Sequence, residues 1–162
     1  MKYYIATKLE NHEQHNQVRD MLAERGHEIT YDWTVHGPVW SEGLDRCREV
    51  AMLETQGVVD ADVVIVLWPG GRGTHAELGI ALGCGKMVIF VSDVAGHHEA
   101  SPDVCAFYYH ELVDRCRSID EIPQALYFVE CLLWERAHGL VPPVDMLPCG
   151  WALTGEQEQK YR

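Results

Sequence analysis

The stretch that decides the fold runs from Val63 to Val91 and reads VVIVLWPGGRGTHAELGIALGCGKMVIFV. A β-branched apolar run leads into a glycine-rich turn, and a Thr-x-x-Glu then opens a segment that ends in a second apolar run. Continuous apolar runs of this length are typical of parallel strands that are buried on both faces. The stretch therefore predicts a strand, a glycine-rich turn, a helix and a second strand.

The rest of the chain repeats this alternation. Apolar and β-branched runs predict strands over 3–7, 27–33, 61–68 and 87–91, and a short fifth strand over 105–110. Helical periodicity and capping residues predict helices over 11–25, 41–57, 74–83 and 118–139. Together these elements predict an α/β fold of three layers, flavodoxin- or Rossmann-like, with a parallel sheet of about five strands.

Length and composition indicate one domain. The chain has 162 residues, of which 47% are hydrophobic, as is ordinary for a globular protein. We assign residues 1–139 to the domain and residues 140–162, rich in Pro and Gly, to an irregular C-terminal tail that could contact a neighbouring subunit. We expect a homodimer or a higher homo-oligomer, because a two-fold dimer is the commonest closed assembly.

The charge balance excludes several classes of partner. A net charge of −12, from 25 acidic and 13 basic residues, disfavours binding of a nucleic-acid polymer. No apolar run reaches the roughly 18 residues that span a membrane, and the N-terminal MKYYIATKLE does not resemble a signal peptide, so we expect a cytoplasmic protein. The six cysteines form no C-x-x-C pair, and we expect free thiols, no metal and no cofactor.

The glycine-rich turn allows two interpretations. Thr74 and Glu77 fit a capping box, in which each side chain hydrogen-bonds to the backbone of the other residue. That interpretation leaves the glycines of the turn unexplained, whereas glycines suit a loop whose backbone a ligand approaches closely, at the positive end of a helix. Arg72 could clamp a phosphate or remain a solvated surface residue.

In parallel α/β sheets, ligands bind beyond the carboxyl ends of the strands. The loops that follow Thr7, Trp33 and Trp68 are therefore the candidates for the binding site. The substrate-binding candidates on these loops are Thr7, Lys8, Trp33, Pro69, Gly70, Gly71, Arg72, Gly73 and Thr74.

The second predicted helix supplies a further carboxylate. A 3-4-3-4 spacing places five residues on one stripe of this helix, which is predicted to face the core: Leu44, Cys47, Ala51, Glu54 and Val58. A glutamate on such a stripe is costly unless it is paired or lies at the edge of a site, although it could also extend outward into solvent. The alternative is that Glu54 faces Glu77 across the strand ends. Two carboxylates beside a sugar-binding loop are typical of glycosyl transfer, in which one attacks or stabilises the anomeric carbon and the other handles protons or sugar hydroxyls.

These residues resemble the nucleoside 2-deoxyribosyltransferase superfamily, which also includes the deoxynucleoside 5′-monophosphate N-glycosidases. The segments that carry the resemblance are YYIAT, GHEITYDW, ETQGVVDADVVIVL and GRGTHAELGIALGCGK, in this order, over more than half of the chain. The resemblance implies an enzyme that cleaves the N-glycosidic bond of a nucleoside or nucleotide, either by transfer to another base or by hydrolysis.

The resemblance also implies roles for particular residues. Glu77 matches the nucleophile that takes the sugar, and the helix N-terminus beside it leads us to expect an ionised carboxylate at neutral pH. Glu54 matches the acidic residue that binds substrate and helps to protonate it, and it replaces the usual Asp. Tyr4, or else Tyr3, matches the tyrosine that orients the nucleophile, and Asp62 matches the aspartate of the third strand, which we include among the substrate-binding candidates.

Two features leave the substrate open. The loop after the first strand reads KLENHEQ, which lacks the small residues that cradle phosphate in the monophosphate hydrolases, although Lys8 could serve there. PGGRGTHAE also resembles the P-G-G-x-G-T-x-x-E segment of the lysine-decarboxylase-like phosphoribohydrolases, over this one loop. The favoured substrate is a plain (deoxy)nucleoside. The alternatives are a 5′-monophosphate N-glycosidase, a TIR-like NAD hydrolase and a non-catalytic nucleotide sensor.

Overall fold

The central feature of the computed structural model is a five-stranded sheet in which neighbouring strands run parallel, in the order β2-β1-β3-β4-β5. The structure describes residues 1–99 and 104–139. The strands are β1 (Lys2–Ala6), β2 (Glu28–Ile29), β3 (Val63–Leu67), β4 (Met87–Val91) and β5 (Val113–Cys116). The residues of β3 and β4 are buried throughout, as their continuous apolar runs predict. The predicted α/β fold with a parallel sheet is confirmed.

Helices cover both faces of this sheet. They are α1 (His12–Ala23), α2 (Leu44–Asp60) and α3 (Arg72–Gly83), and a fourth helix, α4 (Ile122–His138), follows β5 in the chain. Because side chains alternate along a strand, one face of the sheet carries Tyr4, Val64 and Phe90, and these pack with residues of α2 and α3 in one cluster. Tyr3 on the other face donates a hydrogen bond to the Arg19 carbonyl of α1 at 3.2 Å. The sheet is thus the middle of three layers.

The chain divides into two compact units. The first, Met1–Ala125, holds the sheet and the first three helices, and the second begins at Leu126 within α4. Residues 140–162, predicted as an irregular tail, lie outside the described residues, so the proposed domain boundary stays a prediction. In the part of the chain that the structure describes, no helix is long and apolar enough to cross a membrane.

Two predicted strands differ from the structure. The predicted fifth strand over 105–110 is wrong, because Ala106–Tyr109 forms a 3₁₀ turn and the fifth strand is Val113–Cys116. The second strand is much shorter than predicted. After it, the Asp32 carboxylate accepts a hydrogen bond from the Thr34 amide at 3.0 Å and starts a 3₁₀ turn. That turn buries Trp33, whose Nε1 donates to the Ile5 carbonyl at 2.9 Å.

The inner stripe of α2 also differs from its prediction. Its buried residues are Val50, Gly57 and Val58, whereas Leu44 is 83% exposed. The first turn of the helix thus lies outside the core, and spacing alone does not reveal this. A Cβ atom on Gly57 would lie 2.8 Å from the Tyr31 Cβ and 3.1 Å from the ring of Tyr4. Glycine at this position therefore lets α2 approach the sheet closely beside Tyr4.

Candidate active site

A cavity of about 280 Å³ opens beyond the carboxyl ends of β1 and β3, where ligands bind in sheets of this topology. All three loops that the sequence predicts for the binding site contribute to its wall, and α2 adds two side chains. The lining residues are Thr7, Lys8, Leu9, Trp33, His36, Gly37, Pro38, Val39, Val50, Glu54, Gly71, Gly73, Thr74 and Glu77.

Glu77 lies in the wall of this cavity with only 7% of its surface exposed. Its Oε1 accepts a hydrogen bond from the Tyr4 hydroxyl at 2.5 Å. Tyr4 is fully buried on β1, and burial together with the charge of Glu77 raises its pKa well above the usual range for tyrosine. The phenol therefore remains protonated and acts as a fixed donor to the carboxylate. Of the two candidate tyrosines, Tyr4 is the one that contacts Glu77.

Glu77 takes no part in capping the helix. Helix α3 begins at Arg72, and the Thr74 Oγ1 accepts a hydrogen bond from the Gly71 amide at 3.0 Å. Thr74 is therefore the third helical residue, and Glu77 lies one turn further along. The predicted capping box between Thr74 and Glu77 is wrong because the glycine turn enters the helix earlier than Thr74.

Burial raises the pKa of Glu77 to about 7. The hydrogen bond from Tyr4 lowers this pKa and the charge of Glu54 raises it, but desolvation is the largest cause. With this pKa, Glu77 is only partly ionised at neutral pH, whereas the helix N-terminus led us to expect an ionised carboxylate. The helix dipole acts most strongly within the first turn of a helix, and Glu77 lies beyond that turn of α3. Its surroundings also exclude water.

Glu54 brings a second carboxylate to the same cavity from α2. It is half-buried, and burial raises its pKa while the charge of His36 lowers it. The electrostatic influence of Glu54 reaches both Glu77 and Tyr4. The cavity thus contains two carboxyl groups that each favour the protonated form more than a solvated glutamate does.

The three glycines of the turn have different surroundings. A Cβ on Gly70 would lie 2.9 Å from the Thr74 Cγ2, so this glycine is required by the packing of the turn. A Cβ on Gly73 would meet no heavy atom within 4 Å, and Gly71 and Gly73 both line the cavity. The turn therefore leaves backbone open to the cavity at the start of α3. Arg72 is exposed and does not line the cavity.

Two further candidates lie elsewhere. The Asp62 carboxylate accepts a hydrogen bond from the Lys2 amide at 2.7 Å, at the amino ends of β1 and β3, so the structure does not bring it to the cavity. The Pro69 carbonyl accepts from the Thr7 Oγ1 at 3.4 Å, while Pro69 itself lines a separate groove beside α1. The predicted site residues that do line the cavity are Thr7, Lys8, Trp33, Glu54, Gly71, Gly73, Thr74 and Glu77.

The sequence reasoning missed several residues near the site. His36, Gly37, Pro38 and Val39 line the cavity, and only their position in the loop after the second strand could have indicated this. His75 links the glycine turn to Tyr108, because its Nδ1 lies 2.7 Å from the Gly71 carbonyl and its Nε2 lies 2.5 Å from the Tyr108 hydroxyl. Within residues 1–99 and 104–139, no three side chains are arranged to hold a metal ion.

The raised pKa of Glu77 predicts a pH-dependent cost in stability. Between about pH 4.5, its ordinary pKa, and about pH 7, the folded protein binds more protons than the unfolded chain, so this group lowers stability as the pH rises. Replacing Glu77 by Gln removes the titration. We expect the free energy of unfolding of Glu77→Gln minus that of wild type to be larger, meaning a relatively more stable variant, at pH 8 than at pH 5, by on the order of 3 kcal/mol.

Urea denaturation at the two pH values measures this difference. The exposed Glu24→Gln is the matched control and should show the same offset from wild type at both. A pH-independent offset for Glu77→Gln would show that the buried carboxyl does not titrate in this range.

The family of this chain follows from comparison with known proteins. A family model described as nucleoside 2-deoxyribosyltransferase matches residues 3–152, nearly the whole chain. The solved structure of the Clostridium botulinum CMP N-glycosidase BcmB is similar, with a TM-score of 0.49 and 19% identity over 79% of this chain and 99% of that chain. Among curated proteins, none matches this sequence significantly. The chain belongs to the nucleoside 2-deoxyribosyltransferase family and is an N-glycosyl transferase or hydrolase.

Proposed function

We propose that Glu77 is the nucleophile of this enzyme and that the substrate is a (deoxy)nucleoside. The observation that carries the proposal is the buried Glu77 carboxylate, which lines the cavity and is held by the Tyr4 hydroxyl at 2.5 Å. A carboxylate oxygen attacks the anomeric carbon, and the bond from that carbon to the base nitrogen breaks with its electron pair leaving on the base. The glycosyl ester that results is resolved by water or by a second base.

Glu54 is proposed to handle the proton of this reaction. The base leaves as an anion unless it is protonated, and burial raises the pKa of Glu54, which favours the protonated form that can supply this proton. The shared cavity and the longer side chain of Glu compared with Asp are consistent with this role. A non-catalytic nucleotide sensor would have no use for two carboxyl groups in one cavity, so the geometry favours the enzyme.

The role of Glu77 predicts both a loss of activity and a pH profile. Glu77→Gln should lose nearly all turnover, since an amide cannot attack the anomeric carbon, while the folded structure is retained. In the wild type, kcat/KM should rise with pH through about 7, because only the ionised carboxylate attacks. In Tyr4→Phe this midpoint should move to higher pH, since the lost hydrogen bond had lowered the pKa of Glu77.

Chromatography of reactions with a panel of nucleosides, each with and without an acceptor base, measures these rates. Products formed only with an acceptor indicate transfer, and free sugar indicates hydrolysis. Glu24→Gln serves again as the control with normal activity. Near-normal turnover of Glu77→Gln would rule out the proposed nucleophile.

The cavity also bears on whether the substrate carries a 5′-phosphate. Arg72, the stronger candidate for a phosphate clamp, is exposed and outside the cavity wall, which supports a plain nucleoside. Lys8 does line the cavity, and its positive charge there favours the monophosphate alternative. We expect kcat/KM for a deoxynucleoside to equal or exceed that for its 5′-monophosphate.

Steady-state kinetics with matched substrate pairs test this expectation, with Lys8→Ala as the informative variant and Arg72→Ala as its control. A preference for the monophosphate of about tenfold or more that disappears in Lys8→Ala and persists in Arg72→Ala would instead identify a nucleotide N-glycosidase.

We further propose that the enzyme is a homodimer. Large apolar side chains are exposed in the two turns before α2 and on α2 itself, at 78% for Val35, 78% for Trp40, 83% for Leu44 and 68% for Met52. Apolar surface of this kind is stabilised when a second copy covers it. Light scattering should give about twice the 18.4 kDa mass of one chain. For Leu44→Glu the measured mass should be lower and closer to that of the monomer. A wild-type protein that has the mass of one chain at all concentrations contradicts the proposal.

A further inference from the structure

His36 is a cavity residue for which the reaction as proposed has no role. It follows the 3₁₀ turn Trp33–Val35 and lines the same cavity as Glu54. Its Nδ1 lies 2.8 Å from the Gly37 carbonyl oxygen. A carbonyl oxygen can only accept, so Nδ1 carries a hydrogen and donates it. The ring orientation is thereby fixed, and Nε2 is the atom whose partner has to be found.

The Nε2 atom of His36 is buried and has no hydrogen-bond partner among the residues that the structure describes. An unpartnered buried ring nitrogen is uncommon in folded proteins, because desolvation without a hydrogen bond is unfavourable. Because His36 lines the cavity, a side chain or ligand that moves into the cavity is a candidate partner for this atom.

Few groups near His36 could supply that contact. The ring of Tyr31 lies 6.0 Å away, centroid to centroid, in a tilted arrangement. The Glu54 carboxyl shares the cavity with His36, and no described residue hydrogen-bonds to it. The charge of His36 already lowers the pKa of Glu54, so the two groups are electrostatically coupled.

We propose that His36 is a positioning residue for Glu54, and that its Nε2 and the Glu54 carboxyl share one proton in a hydrogen bond when substrate fills the cavity. The bond is satisfied with either group carrying the proton, since Nε2 donates to a carboxylate or accepts from a carboxylic acid. It selects one of the many rotamers of the Glu54 side chain and holds the carboxyl toward the cavity. The inference rests on the proton-handling role proposed for Glu54.

Two substitutions separate this role from a merely structural one. In His36→Asn the side-chain amide replaces Nδ1 and keeps the contact to Gly37 but loses Nε2. In His36→Gln the amide reaches the position of Nε2 instead. We expect His36→Asn to lower kcat about tenfold or more with little change in KM, and His36→Gln to stay within about threefold of wild type, at unchanged Tm.

The same substitutions in the Glu54→Gln background show whether His36 acts through Glu54. We expect His36→Asn to cause no further loss there, because its partner is already removed. A loss of equal size in both backgrounds overturns the proposal in favour of direct substrate contact. Retained activity in His36→Asn with loss in His36→Gln overturns it in favour of a role in shaping the loop at Gly37.

A measurement without turnover keeps this test independent of the proposed function. In protein labelled with ¹³C at the glutamate carboxyls, the Glu54 signal, assigned by its absence in Glu54→Gln, can be titrated in wild type and in His36→Asn. We expect its pKa to be higher in His36→Asn, because the charge of His36 lowers the pKa of Glu54 already in the absence of substrate. An unchanged value overturns the pairing. If wild type turns over no nucleoside, the proposed reaction fails while this titration still decides whether the two side chains interact.

Discussion

The hydrogen bond from Tyr4 to Glu77 is the constraint on which the site depends, because it joins the central sheet to the helix that carries the proposed nucleophile. Both partners are buried, and a Cβ on Gly57 of α2 would lie 2.8 Å from the Tyr31 Cβ and 3.1 Å from the Tyr4 ring, so a side chain there would displace its neighbours. The position of the Glu77 carboxylate therefore depends on β1, on α2 and on the glycine turn that begins α3. A displaced Tyr4 ring would move the only hydroxyl that hydrogen-bonds to Glu77 among the described residues.

Burial of Glu77 has opposite effects on stability and on chemistry. Desolvation raises its pKa, so its ionised form costs folding free energy at neutral pH. The same desolvation leaves the carboxylate poorly solvated and therefore more reactive toward a carbon that develops positive charge. Tyr4 moderates the cost with one hydrogen bond, which stabilises the ionised form without admitting water. The site thus keeps a carboxylate that titrates near neutral pH at the end of a well-packed sheet.

The sequence predicted the parts of the fold that depend on continuous apolar runs. Strands β3 and β4 lie where the runs Val63–Leu67 and Met87–Val91 indicate, since burial on both faces leaves a distinct pattern. The loops predicted after Thr7, Trp33 and Trp68 all contribute to the cavity. It failed where a side chain competes with backbone periodicity. Asp32 ends the second strand by accepting from Thr34, and Thr74 accepts from Gly71 rather than from Glu77. Such contacts depend on where a turn enters a helix, which residue types alone do not determine.

The two carboxyl groups of the cavity differ in what surrounds them, and this difference suits separate roles. Glu77 has a hydroxyl donor at 2.5 Å and almost no exposure, an arrangement that fixes its position before any ligand arrives. Glu54 is half-buried and has no hydrogen-bond partner among the described residues, so its side chain retains rotational freedom. A nucleophile gains from being fixed, because attack requires one geometry. A proton donor has to be near the base only when the bond breaks, and the contact proposed with His36 selects the rotamer of Glu54 that points toward the cavity at that stage.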